Sequence, residues 1–151
     1  MLNEGAYENV RGEITRCDCP FEKAILGTCC ACSLARRHHI AEREAVSCSA
    51  APAHETCRKL HDLLREKALF ALKLPYHQEK LPHAKEMKIQ CGGLMGMALM
   101  VDRLDIDRPF VRDVHALVEQ ATANSGSIEA LPYSEIVKSI TAFEGRRHRH
   151  Q

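Results

Sequence analysis

The chain has little aromatic material: four Phe, three Tyr and no Trp in 151 residues. A β-sandwich draws its packing from aromatic and β-branched side chains, so this shortage argues against one. What remains for a core is Leu, Ala, Ile, Val, Met and Cys, a set that suits helices. An excess charge of one sign is lacking too. Twenty-one Lys and Arg stand against twenty Asp and Glu, and Arg146, Arg147 and Arg149 crowd into the last residues. No basic stripe marks a nucleic-acid surface, and no imbalance marks an anionic membrane. The longest apolar run, Leu94 to Val101, is too short to cross a bilayer.

Familiar catalytic signatures are also missing. There is no G-x-G-x-x-G and no G-x-x-x-x-G-K-[ST], so no nucleotide loop can be read. There is no G-x-S-x-G elbow and no H-E-x-x-H. No Glu is followed three places on by a His, which excludes the Glu-x-x-His pairs of a di-iron bundle. No general acid or base constellation stands out, so a non-enzymatic redox or metal protein is expected ahead of an enzyme.

The length fits one domain with a real core. Residues 1–16 are polar and mixed and are expected to be loosely ordered. Residues 17–143 are expected to form a single helical metal-binding domain, and 144–151 a polar tail. Helical spacing predicts segments at about 20–26, 29–48, 53–74, 82–104, 109–122 and 132–143. Within 53–74, Cys57, Leu60, Leu64, Ala68 and Ala71 recur on one face, and Pro75 is expected to end that helix. The expected fold is all-α: a helical bundle of four to five helices with short connections.

What the chain does have is eight cysteines. That is below the density of a disulfide scaffold. Met1-Leu2-Asn3-Glu4-Gly5 offers neither the basic nor the apolar region of a secretory signal, so a cytoplasmic protein with reduced thiols is expected. In that compartment cysteines read as metal ligands or redox groups. Cys17-Asp18-Cys19 can aim two sulfurs from an extended stretch. Cys29-Cys30-Ala31-Cys32 holds a C-x-x-C at an expected helix start, where thiolate is favoured. Cys48 and Cys57 flank a Ser-Ala-Ala-Pro turn. Cys91 precedes Gly92-Gly93, a costly pair inside a helix that suits either a bulky inorganic cofactor or a close helix crossing.

Height along three antiparallel helices then sorts the thiols. At about 1.5 Å per residue, Cys32 and Cys91 come to about 9 and 13 Å from one end, and Cys57 to about 26 Å with Cys48 beyond it. The expected site is therefore Cys17, Cys19, Cys32 and Cys91, with Cys29 and Cys30 adjacent. Cys48 and Cys57 make a second candidate, with His54 or His61 beside them.

Four thiolates in a dry helical pocket suit an iron–sulfur cluster, [4Fe–4S] ahead of [2Fe–2S], in electron transfer or redox sensing with a redox partner protein. Three other readings compete. Cys17, Cys19, Cys29 and Cys32 could hold a structural zinc in a scaffold protein, though C-x-C-x9-C-x2-C is no usual finger spacing. Inward Cys with Met87 and Met95 could hold Cu(I). Cys29 and Cys32 could be a thiol oxidoreductase pair, but the surrounding βαβ pattern is missing. The plain alternative is that buried cysteines act as small hydrophobes, which fits Cys30 best. Met95, Met97 and Met100 read as core, and none of the nine His is favoured as a ligand. The apolar 94–101 run also offers a surface through which helices could pair in a homodimer.

Overall fold

A computed structural model describes residues 17–74, 80–102, 104, 107 and 109–145. Residues 1–16, Pro75 and most of the 144–151 tail lie outside them, so the expectations placed there are untouched. In chain order the elements are α1 (Glu22–Leu26), β1 (Ala35–Ile40), β2 (Arg43–Cys48), α2 (Ala51–Lys67), α3 (His83–Met87), a π-helical segment (Lys88–Gly92), α4 (Gly93–Met100), α5 (Val114–Ser125) and α6 (Tyr133–Ala142).

The chain is therefore not an all-α bundle. Residues 29–48, expected as one helix, form a loop followed by an antiparallel hairpin that pairs Ala35 with Cys48 and Ile40 with Arg43. Tertiary partners override the helical spacing here. The Cys19 N–H donates to the Val46 carbonyl at 3.0 Å. The Val46 N–H donates to the Glu22 carboxylate at 2.6 Å. Both bonds need Val46 in a strand, and the hairpin buries Ile40, Ala45 and Val46. The two strands turn at Ala41, whose φ of 59° is a conformation that residues with a Cβ seldom adopt.

Elsewhere the helical spacing is realised. In α2, Leu60 and Leu64 are fully buried, and Pro52 sits in the first turn, where its missing N–H is harmless. The expected helix at 82–104 runs from His83 to Met100, but its middle widens into the π-helical segment that carries Cys91. The helix expected from 109 starts only at Val114, because Asp113 caps it: its carboxylate accepts the His115 N–H.

The Gly92-Gly93 pair serves helix packing. A Cβ on Gly92 would stand 2.6 Å from the Ile140 Cα and 2.9 Å from the Ser139 carbonyl oxygen of α6. A Cβ on Gly93 would stand 2.8 Å from Leu64 Cδ1 of α2. Gly96, one turn on, would bring one to 3.0 Å from Ser139 Cβ. The glycines thus let α6 and α2 close on this helix, and the backbone of α6 and the Leu64 side chain take up the space beside them. Phe21, Leu60, Leu64, Ile89, Leu94, Met97, Leu117, Ile136 and Ile140 make the common core. No helix is long and apolar enough to cross a membrane among the described residues.

Candidate metal centre

The hairpin decides which cysteines meet. Cys48 ends β2, and its pairing with Ala35 sets it beside the base of β1. Cys32 lies three residues before that base and is tied to it: its carbonyl accepts the Ala35 N–H at 3.1 Å. In a straight helix the sixteen residues from Cys32 to Cys48 would separate them by about 24 Å. The hairpin folds that distance away. Cys19 reaches the same place from the other side, because the lead-in strand bridges onto β2 at Asp18 and Ser47. Cys57 arrives from the second turn of α2, which starts just after β2.

Cys19, Cys32, Cys48 and Cys57 consequently line one almost wholly apolar cavity of about 20 Å³, walled also by Phe21 and His54. The structure does not bring Cys17 or Cys91 to it, and it joins Cys48 and Cys57 to Cys19 and Cys32. That regrouping follows from the loss of the 29–48 helix, on which the height argument rested. The four sulfurs sense one another: burial pushes the Cys57 thiol up to about 12, and the neighbouring Cys19, Cys32 and Cys48 push in the same direction. Burial likewise raises Cys19 to about 12, against a backbone N–H from Phe21 that favours its thiolate. Cys32 is raised by burial despite backbone N–H donors from Leu34 and His115.

One of those N–H groups, that of His115, is also held by Asp113. Asp113 accepts the Ser33 N–H at 2.9 Å and the His115 N–H at 3.2 Å. One carboxylate therefore fixes the residue after Cys32 and a donor to the Cys32 sulfur. These hydrogen bonds hold Asp113 below its usual range even though burial opposes them. His54 donates from Nε2 to the Asp18 carbonyl at 3.0 Å, pinning the Cys19 strand to α2. Among the described residues, no group of three or more His, Cys, Asp or Glu converges to hold a single metal ion as it stands.

Cys19 and His54 have a second face. They also border a polar cleft of about 550 Å³, whose wall includes Asp18, Arg58, His61 and Glu86. There His61 Nε2 donates to Glu86 at 2.5 Å and Gln90 Nε2 to the same oxygen at 2.7 Å. Burial alone would raise the Glu86 carboxyl, but these bonds, the His61 charge and Arg65 hold it below its usual range.

Cys29, Cys30 and Cys91 form another group. Cys91 is fully buried in the π-helical segment, and its side chain is hydrogen-bonded to that of Cys29. That bond first, and burial second, hold the Cys91 thiol far above its ordinary value. Cys30 is buried beside them, and burial followed by Cys29, Cys19 and Cys32 raises it as well. The C-x-x-C at Cys29 and Cys32 is thus divided between the two groups, and the expected zinc set of Cys17, Cys19, Cys29 and Cys32 is divided with it.

Sequence reasoning passed over Asp113, whose only signal was its place before an apolar helical run. It also had no means to find the hairpin, since Ala41-Glu42 carries no Asn-Gly or Asp-Gly turn signal. No family model, no curated protein and no solved structure matches this chain.

Proposed function

We propose that the protein carries an iron–sulfur cluster, [4Fe–4S] in preference to [2Fe–2S], ligated by Cys19, Cys32, Cys48 and Cys57. The observation that carries the reading is the common apolar cavity lined by these four thiols. They come from four separate segments, with twelve, fifteen and eight residues between them. Structural zinc sites typically take their thiols in closely spaced pairs, and no such pair exists here. A cluster takes thiolates from any direction, and N–H donors to its sulfurs tune its potential. Phe21, Leu34 and His115 supply such donors to Cys19 and Cys32.

When bound, the cluster would supply one-electron exchange. Cys19 and His54 would be the thin wall between it and the polar cleft, the side from which a redox partner protein or an oxidant would be felt. The reading is one of electron transfer or redox sensing in the reducing cytoplasm, where thiols persist unpaired.

Zinc is the second reading, favoured by size. A cavity of about 20 Å³ has room for one water or one ion, so the cluster requires the four side chains to turn away from the centre. Purification under strict anoxia with metal and sulfide analysis separates the two. The iron–sulfur reading expects a brown protein with about four irons and four sulfides per chain, bleached by reductant. One zinc per chain in a colourless protein would replace it with a structural site, and absence of any metal would dismiss both.

A further inference from the structure

Cys29, Cys30 and Cys91 take no part in the proposed cluster, yet they come from two distant parts of the chain to one place. Cys91 is fixed from behind. Its neighbour Gly92 is pressed against the Ile140 backbone, and the π-helical segment around it is buried from Ile89 to Gly92. Cys29 is fixed on both sides: its N–H donates to the Ala24 carbonyl at 2.9 Å, and its carbonyl accepts the Val111 N–H at 3.1 Å. The two side chains touch through a sulfur hydrogen bond. Cys29 is half-buried, whereas Cys91 has no exposure. Of the pair, Cys29 is the residue with partial exposure, packed at the edge of the core, and Cys91 has contact only with what lies against it.

We infer that Cys29 and Cys91 form a redox-active dithiol, in which Cys29 is attacked from solution and Cys91 resolves it to a reversible disulfide. The oxidant is a low-molecular-weight disulfide. The Cys29 sulfur, losing its proton, attacks one sulfur of that disulfide; a mixed disulfide forms and one small thiol leaves. The Cys91 sulfur, losing its proton, then attacks the Cys29 sulfur. The Cys29–Cys91 bond forms, the second small thiol leaves, and both electrons lost by the protein reside in the two small thiols.

Cys30 is the rival resolving group, and its geometry is against it. Consecutive Cα atoms are about 3.8 Å apart, below the span of about 4.4–6.8 Å that disulfides prefer. Cys30 is also held in a parallel bridge to Val111. The inference uses none of the four cavity thiols, so it stands whether or not they hold a cluster.

The test treats the full chain with oxidised glutathione, quenches it with an alkylating agent under denaturing conditions, and maps the cysteines by peptide mass spectrometry. The expected product is a peptide pair linked Cys29–Cys91, removed by dithiothreitol. Cys91→Ala should stop at glutathione on Cys29, and Cys29→Ser should give neither product. The half-exposed Cys29 position keeps the test independent of core damage, and far-ultraviolet circular dichroism checks that both variants fold. The inference is overturned if the wild-type chain stops at the mixed disulfide, links Cys29 to Cys30 or to a cavity thiol, or does not react.

Discussion

The two thiol groups of this molecule are built on opposite plans. Cys19, Cys32 and Cys48 stand at or beside the ends of elements and Cys57 in the second turn of α2, where a hairpin base, a lead-in segment and that helix meet around a cavity. Cys29 and Cys91 stand where a loop meets the middle of a buried helical segment, with their side chains hydrogen-bonded to each other. In the first group backbone N–H groups are aimed at the Cys19 and Cys32 sulfurs; in the second one thiol is hydrogen-bonded to another. Element ends leave N–H groups without intrahelical or ladder partners, and those can become donors to ligands. A packed helix interior leaves none. The difference explains why a metal reading belongs to the first group and a dithiol reading to the second.

The comparison breaks most visibly at the four proposed ligands. Cys19→Ser, Cys32→Ser and Cys48→Ser should each lower iron content at least tenfold in anoxically purified protein, whereas Cys17→Ser should leave it unchanged. Retention of iron by any of the first three, or its loss with Cys17→Ser, would dissolve the grouping.

A second effect appears in alkali. In metal-free protein, Cys19 and Cys57 are raised from 9.0 to about 12. Their folded state favours the neutral thiol, so the stability they lend is fully present below pH 9 and is lost as pH rises towards about 12. Denaturant melts should show the midpoint falling over that window. Cys57→Ala should flatten part of the fall.

Gly92→Ala should then cost about 1–3 kcal/mol, because its Cβ meets the Ile140 and Ser139 backbone and neither can swing aside. Thermal unfolding should drop by about 2–4 °C for each kcal/mol. The glutathione reaction at Cys29 and Cys91 should suffer with it, while iron content should hold.

The smallest expected effect is at Asp113. Asp113→Ala removes a helix cap, at a cost of about 1 kcal/mol, and loosens Ser33 and the His115 N–H beside Cys32. A voltammetric midpoint should shift with it, and Asp113→Asn should restore most of the stability. An unchanged potential would deny the N–H groups their part in tuning the centre.

How much of this was legible in the sequence varies by region. The α2 face was, because Leu60 and Leu64 at helical spacing can be buried only one way. So was the close approach at Gly92-Gly93, for which a helix crossing was one of two stated reasons. The hairpin was not. Arg36 to Ser47 holds its apolar residues at a spacing a helix also tolerates, and its turn falls on Ala41, which local preference disfavours. What fixes the strands is distant: Cys19 and Glu22 bonding to Val46. Once that segment is misread, every height assigned to Cys32 and Cys48 moves, and the site moves with it. The thiols stand out in the sequence; which of them meet depends on a contact that no local pattern carries.

The central claim is that the metal belongs to the hairpin group and not to the helix interior. Iron analysis of Cys57→Ser beside Cys91→Ala, both purified anoxically and both checked for wild-type circular dichroism, tests it most directly. The account predicts that Cys57→Ser loses its iron and colour and that Cys91→Ala keeps about four irons per chain. Loss of iron with Cys91→Ala, or its retention with Cys57→Ser, would contradict it.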